Sequence, residues 1–164
     1  MSDDLYTANE NGFYARLHAA PIRRHVAYGM ILLFGAAVLY VLFQSPPSGP
    51  WVVVMLAIAA AAFWAAIRLR SATLLWIDLT EEGLSDSAGN QIASFDDIVS
   101  VHRGVFAFKP SNGFLLKLRH SQPLGWQPGM WWRFGRRVGI GGVVPAINAR
   151  YMAETIEHRL AARR

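Results

Sequence analysis

The chain contains no cysteine, and charged residues are scarce in it. Of its 164 residues, only 16% are Asp, Glu, Lys or Arg. Without thiols it has no disulfide framework, no thiolate metal site and no cysteine nucleophile. Between Arg24 and Arg68 there is no charged residue of these four types at all. This uncharged stretch is the strongest signal in the sequence.

Two apolar runs, residues 26–43 and 51–67, fill most of the uncharged stretch. As a helix, each would rise roughly 26 Å, close to the roughly 30 Å hydrocarbon core of a bilayer. A core helix of a soluble protein normally keeps one polar stripe, and neither run has one. The sequence therefore predicts a two-helix transmembrane hairpin over residues 26–67. The alternative is a pair of buried helices in a soluble core.

The two runs are joined by residues 44–50, which leave room only for a tight turn. The helices are therefore expected to be antiparallel, with both chain ends on one side of the membrane. All sixteen Lys and Arg residues lie outside the hairpin, and those that flank it directly are Arg23, Arg24, Arg68 and Arg70. The positive-inside rule then predicts that both ends are cytoplasmic.

Residues 1–25 are predicted to form a cytoplasmic arm, either extended or folded as a short interfacial helix broken at Pro21. Acidic Asp3, Asp4 and Glu10 occupy the region that is basic in a secretory signal. We therefore expect the first apolar run to be a retained helix rather than a cleaved signal.

Residues 71–164 are predicted to form one small α+β domain, an antiparallel sheet or barrel closed by a C-terminal helix. Alternation of apolar residues and intervening turn residues predict strands over residues 73–80, 84–86, 91–95, 98–108, 114–120 and 130–135. Residues 121–129, with two prolines, are expected to be a loop. Apolar residues at helical spacing predict a helix over residues 146–163.

Two short motifs accompany this layout, residues 79–84 (LTEEGL) and 92–101 (IASFDDIVSV). With the preceding hairpin, they resemble bacterial membrane-anchored proteins that carry a pleckstrin-homology-like (PH-like) domain. The resemblance implies a non-catalytic, membrane-proximal interaction module in the bacterial inner membrane. It does not imply phosphoinositide binding, because Glu81 and Glu82 occupy the first hairpin turn, where phosphoinositide-binding members carry basic residues.

Residues suited to catalysis or metal binding are few and poorly spaced. The paired carboxylates Glu81–Glu82 and Asp96–Asp97 fall in predicted turns, where solvated charges are ordinary. No two of the five histidines have metal-ligand spacing, although His102 and His120 could be cross-strand neighbours. The glycine-rich residues 135–142 precede a helix but lack the Gly-Lys-Ser/Thr ending of a phosphate loop. We predict no enzyme activity, cofactor or metal site.

The candidate interaction surface, called here the Trp/Arg edge, comprises Trp126, Trp131, Arg133, Arg136 and Arg137. Strand alternation predicts that Met130, Trp132 and Phe134 face the core, while Trp131 and Arg133 point outward. Outward aromatic residues beside arginines suit lipid headgroups or a partner protein. The alternative is a solvated basic edge that deters strand pairing.

Small residues at four-residue spacing, Ala57, Ala61 and Ala65, are candidate helix-packing positions in the second helix. The expected function is that of a non-enzymatic accessory, assembly or scaffolding protein at the cytoplasmic face. Its expected partners are membrane lipids and another integral membrane protein. The alternative is a lipid- or ligand-sensing module. Nucleic acid is not an expected partner, because the net charge is only +5 and the flanking arginines serve membrane topology.

Overall fold

A computed structural model describes residue 12 and residues 14–103 and 111–163 of the chain. The predicted arm up to residue 11 and the end of the predicted strand 98–108 therefore lie outside the described residues. The chain divides into two units, one formed by Pro21–Ser71 and the other by the segments on either side of it. We call them the helical unit and the β unit.

The helical unit contains α1 (Pro21–Gln44) and most of α2 (Trp51–Ala72). Both helices extend beyond the apolar runs from which they were predicted. By length and composition, each is long and apolar enough to cross a membrane, with a mean hydropathy of 2.3. Only 11% of the apolar window of α1 and 22% of that of α2 is buried within the structure.

Small residues form the contact between α1 and α2. A Cβ atom added at Gly35 of α1 would lie 3.3 Å from the Cβ of Ala62 and 3.4 Å from the ring of Phe63. Ala59 and Ala66 of α2 are 2% exposed. Because these side chains are so short, the two helix backbones approach each other closely.

The β unit is built from two antiparallel sheets and one helix. The strands are β1 (Ala15–His18), β2 (Trp76–Leu79), β3 (Gly83–Asp86), β4 (Gln91–Ser94), β5 (Ile98–His102), β6 (Phe114–Gln127) and β7 (Trp131–Ile140). The sheets have the strand orders β1-β2-β3-β4 and β5-β6-β7, and they are not closed into a barrel. A short 3₁₀ turn, Phe95–Asp97, connects them, and α3 (Ala146–Ala162) packs its apolar face on the same core.

The first strand, β1, lies before α1 in the chain yet pairs with β2, which follows α2. Ala15 lies opposite Leu79 and His18 opposite Trp76. Leu17 is fully buried in the core of the β unit. The helical unit is therefore inserted between two adjacent strands of one sheet. This differs from the predicted arm over residues 1–25, because four residues are too few to show a strand period and their partner lies beyond the hairpin.

Three separate segments meet where the β unit joins the helical unit. The N–H of Ala20 donates to the carbonyl of Val143 (2.8 Å), and the N–H of Val143 donates to the carbonyl of Gly129 (3.0 Å). The residue before α1, the segment before α3 and the β6–β7 turn therefore lie side by side. The pairing of His18 with Trp76 brings the start of β2 to the same place. We call this part of the β unit the junction end.

The opposite part of the β unit, the distal end, carries paired charges. The guanidinium of Arg159 lies 3.7 Å from the ring centroid of Tyr14, and the Tyr14 hydroxyl donates to Glu81 (2.9 Å). Arg163 forms an ion pair with Asp96 (2.7 Å). Since α3 starts beside the junction end and its last turn reaches Tyr14, the helix runs along the unit from one end to the other.

The sixth strand extends through most of the predicted loop at residues 121–129. It continues to Gln127, and its pairing with β7 shifts register between Lys117 and Gln122 and again between Gln122 and Gly125. Pro123 is accommodated in the second irregularity, because a proline without an N–H is tolerated where the hydrogen-bond ladder is broken.

We predict that β1 is essential to the β unit. Leu17→Ala should lower the free energy of unfolding by about 2–5 kcal/mol, because it removes a fully buried side chain. Thermal unfolding of the full chain in detergent, followed by tryptophan fluorescence, measures the change. Val99→Ala, at a position 38% exposed on β5, is the control and should have a much smaller effect. Equal effects of the two substitutions would contradict the pairing of β1.

Candidate functional site

The Trp/Arg edge lies on the outer half of the β6–β7 hairpin, where a bend reverses the alternation of side chains. Gly135 has a φ of 56°, in the left-handed region that glycine adopts without strain. Before Gly135, Trp131 is buried; after it, Val138 and Ile140 are buried. Odd-numbered side chains of β7 therefore face the core before Gly135, and even-numbered side chains face it afterwards.

The prediction that Trp131 points outward is therefore wrong. Trp131 is 5% exposed and belongs to the core, and a Cβ atom at Gly125 would lie 2.7 Å from its ring. Glycine at position 125 is what allows the indole to lie flat against β6. The Nε1–H group of Trp131 is buried with no hydrogen-bond acceptor among the described residues. An unsatisfied buried donor costs on the order of 1–3 kcal/mol, so packing of the ring outweighs that loss.

The side chain of Arg133 is committed to the fold. Its Nε–H donates to the carbonyl of Pro123 (2.9 Å), and its Nη1 donates to the carbonyls of Gln91 (2.8 Å) and Ile92 (2.9 Å). These bonds join the β6–β7 hairpin to the edge of β4, in the other sheet. Arg133 therefore links the two sheets, with three of its five N–H groups bonded to backbone carbonyls.

The predicted core positions of Trp132 and Phe134 are also wrong, whereas that of Met130 is confirmed. Phe134 is 71% exposed, and Met130 is 1% exposed. Trp132 is half-buried because its ring lies over Gly139 of the same strand, which the bend at Gly135 brings near. Both corrections have one cause: Met130 lies in the turn before β7, and the alternation of the strand begins at Trp131, so odd-numbered rather than even-numbered residues face the core at this end of β7.

The exposed part of this hairpin is consequently a different set from the predicted edge. Trp126 is 56% exposed and lies directly opposite Trp132. Leu124, two residues earlier on β6, is 77% exposed. The exposed side chains include Leu124, Trp126, Phe134, Arg136 and Arg137. Leu124 was missed because its segment was predicted as a loop, and no periodic signal marks it.

In the helical unit, the predicted packing stripe is not the one used between the two helices. Ala57 and Ala61 are exposed and Ala65 is half-buried, whereas Ala59, Ala62 and Ala66 are buried. At 100° per residue, the two rows lie roughly a third of a turn apart around α2. The row formed by Ala57, Ala61 and Ala65 therefore lies outside the contact with α1.

The best-formed polar cluster surrounds Asp97, which is 8% exposed. Its carboxylate accepts hydrogen bonds from the backbone N–H of His120 (3.0 Å), from the Gln122 amide (3.2 Å) and from the His120 ring (2.7 Å). Burial alone would raise the pKa of Asp97, but these hydrogen bonds outweigh it and hold the pKa below its ordinary value. The cluster ties the 3₁₀ turn to β6 and keeps the carboxylate ionised, which is unsuited to a general acid.

The remaining ionisable candidates are dispersed. His102 pairs in register with Leu115, near the start of β6, so it is not the cross-strand neighbour of His120. Asp96 pairs with Arg163 and Glu81 with Tyr14. Over residues 14–103 and 111–163, no three His, Asp or Glu side chains are grouped so that they could hold a metal ion.

Compared with protein-family models, with curated proteins and with solved structures, the chain has no match. Its functional interpretation therefore rests on its own residues and geometry.

We predict that replacing two tryptophans of the Trp/Arg edge changes the free energy of unfolding by very different amounts. Trp131→Ala should lower the free energy of unfolding by about 3–5 kcal/mol, as expected for a buried aromatic side chain. Trp126→Ala should change it by no more than about 0.5 kcal/mol, because an exposed side chain contributes little to stability. Urea unfolding of both variants in the full chain measures the difference. Similar losses would contradict the burial of Trp131 and the exposure of Trp126.

We further predict that the Asp97 cluster makes the stability of the β unit depend on pH in the acid range. Because the pKa of Asp97 is lower in the folded chain than its unfolded value of about 3.9, its stabilisation is fully present above about pH 4. It is lost as the pH falls through the folded pKa. Asp97→Asn should remove this acid-dependent part of the unfolding free energy.

Urea unfolding at a series of pH values from about 6 down to about 3 measures the dependence. Asp96→Asn is the matched control, because the Asp96 side chain is 89% exposed. An unchanged pH profile in Asp97→Asn would contradict the role assigned to the cluster.

Proposed function

We propose that the protein is a non-enzymatic integral membrane accessory, assembly or scaffolding protein. In this proposal α1 and α2 cross the bacterial inner membrane as a hairpin, and the β unit works at the cytoplasmic face. The observation that carries the proposal is the insertion of the helical unit between the paired strands β1 and β2. Since the chain leaves and re-enters the same sheet at neighbouring strands, two crossings return it to the side from which it started.

Burial and connectivity favour membrane helices over the two alternatives. A core helix of a soluble protein is mostly buried, but only 11% and 22% of the apolar windows of α1 and α2 are buried. A cleaved signal ending after α1 would remove β1, and with it the buried Leu17 and the ion pair between Arg16 and Asp78 (2.5 Å). Retained helices keep the β unit whole.

Charge placement supports the cytoplasmic orientation. Arg23 and Arg24 lie in the first turn of α1, Arg68 and Arg70 lie near the end of α2, and the connection between the helices contains no basic residue. The positive-inside rule places such flanks in the cytoplasm. The proposed PH-like assignment is supported by two antiparallel sheets of four and three strands, followed by a C-terminal helix. The bacterial assignment follows from the resemblance alone.

The proposed partner is another integral membrane protein. Most of the surface of α1 and α2 is not used for contacts within the structure. The row Ala57, Ala61 and Ala65 lies outside the α1 contact and would let a further helix approach closely. Large aliphatic side chains elsewhere on α2, such as Val53 (68% exposed) and Ile67 (64%), suit lipid.

A second candidate function, lipid or ligand sensing, is favoured by the exposed part of the β6–β7 hairpin. Trp126 and Phe134 are exposed, and Arg136 and Arg137 follow on the same hairpin. Aromatic and cationic side chains together suit an anionic headgroup layer. A sensor of this kind should bind anionic vesicles in a salt-dependent manner without a stoichiometric protein partner.

We predict that a tagged chain at native expression level co-elutes with a larger membrane complex in mild detergent. Size separation with mass spectrometry of the co-eluting chains identifies the partner. Ala61→Leu should weaken co-elution, because the larger side chain prevents close helix approach. Ala60→Leu is the matched control: it is the same change on a neighbouring exposed face of α2. Migration as a lone small species would contradict the scaffold and leave the sensor to be tested.

A further inference from the structure

We infer that the junction end of the β unit sits in the headgroup layer of the bilayer, with Leu74, Trp126 and Ile147 in direct contact with lipid. The inference rests on the proposed membrane function and adds a specific lipid-contacting surface to it.

The three side chains are large, apolar and exposed. Leu74 is 59% exposed, Trp126 56% and Ile147 77%. A soluble domain tolerates isolated exposed apolar residues, but several at one place mark an interaction surface. What they share is their position relative to the junction end.

Each of the three lies within a few residues of a segment that forms the junction end. Trp126 is three residues before Gly129, and Ile147 is four residues after Val143. Gly129 and Val143 are hydrogen-bonded to each other, and Val143 is hydrogen-bonded to Ala20. Leu74 is two residues before Trp76, the partner of His18. Segments distant in sequence thus bring exposed apolar side chains to one end of the β unit.

The covalent chain makes lipid the occupant of this surface. Ala20 is bonded to Pro21, the first residue of α1, and Leu74 is two residues beyond Ala72, the last residue of α2. A residue spans at most about 3.6 Å, so Leu74 lies within about 7 Å of the end of α2. If the two helices cross the bilayer, the chain at both points is at the membrane surface, where amphipathic Trp side chains are favoured.

The charges have the distribution that this placement requires. Arginines flank the two connections between the β unit and the helices. Arg23 and Arg24 lie at the start of α1, and Arg70 lies in the last turn of α2. Arginines at this level attract anionic headgroups and extend their charged groups toward water. At the distal end, by contrast, Tyr14, Asp96 and Arg163 are engaged in polar contacts within the β unit.

Site-directed spin labelling of the full chain tests the inference. The chain contains no cysteine, so Leu74→Cys, Trp126→Cys and Ile147→Cys each give one labelling site. Nitroxide-labelled variants are reconstituted alone in nanodiscs of mixed zwitterionic and anionic lipid. Collision with oxygen, which enters lipid, is compared with collision with a water-soluble nickel chelate. Two control labels are Ala161→Cys, exposed near the end of α3, and Leu33→Cys, 71% exposed in the middle of α1.

We expect the labels at Leu74, Trp126 and Ile147 to be several-fold less accessible to nickel than the label at Ala161. Thermal unfolding of each variant confirms that it is folded. If these three labels are as accessible as the Ala161 label while the Leu33 label is shielded, the inference is overturned and the membrane function stands. The same result is expected if this surface binds a partner protein, because no partner is present in the nanodiscs. A nickel-accessible Leu33 label would overturn the proposed membrane function itself.

Discussion

The pairing of β1 with β2 is the constraint on which the rest of the structure depends. It joins residues separated by the whole helical unit, and it buries Leu17 in the core of the β unit. Because β1 precedes α1 and β2 follows α2, the pairing requires the start of α1 and the end of α2 to lie close together. The same closure gathers Ala20, Val143 and Gly129 into one end of the β unit. The placement of the two helix ends and the folding of the β unit are therefore coupled through one short ladder.

A second constraint, the bend at Gly135, changes which residues of β7 face the core. Before the bend Trp131 packs in the core and Phe134 is exposed, whereas after it Val138 and Ile140 are buried. Arg133 then bonds to the carbonyls of β4 and holds the bent hairpin against the other sheet. The exposed side chains of the hairpin are thus those that neither pack in the core nor connect the two sheets.

Much of the fold could be predicted because its signals are local. The apolar runs of α1 and α2, the helical spacing in α3 and the alternation in Phe114–Leu118 of β6 all depend on neighbours in sequence. Two features could not be predicted from the sequence. The four residues of β1 show no period, and their partner strand lies beyond the hairpin. The exposure of Phe134 depends on where β7 begins: Met130 is buried in the turn, and the alternation of the strand starts at Trp131.

Disulfide trapping at the base of the hairpin tests the pairing of β1 with β2 most directly. His18→Cys and Trp76→Cys in one chain place two thiols on register partners, whose Cα atoms in an antiparallel pair lie about 4.5–5.5 Å apart, within disulfide range. We predict that mild oxidation in membranes gives an intramolecular disulfide, identified by mass spectrometry of the linked peptides. His18→Cys with Ser87→Cys, two strands apart at roughly 10 Å, should not be linked. Failure of the first pair to link, or equal linking of both pairs, would contradict the inserted hairpin.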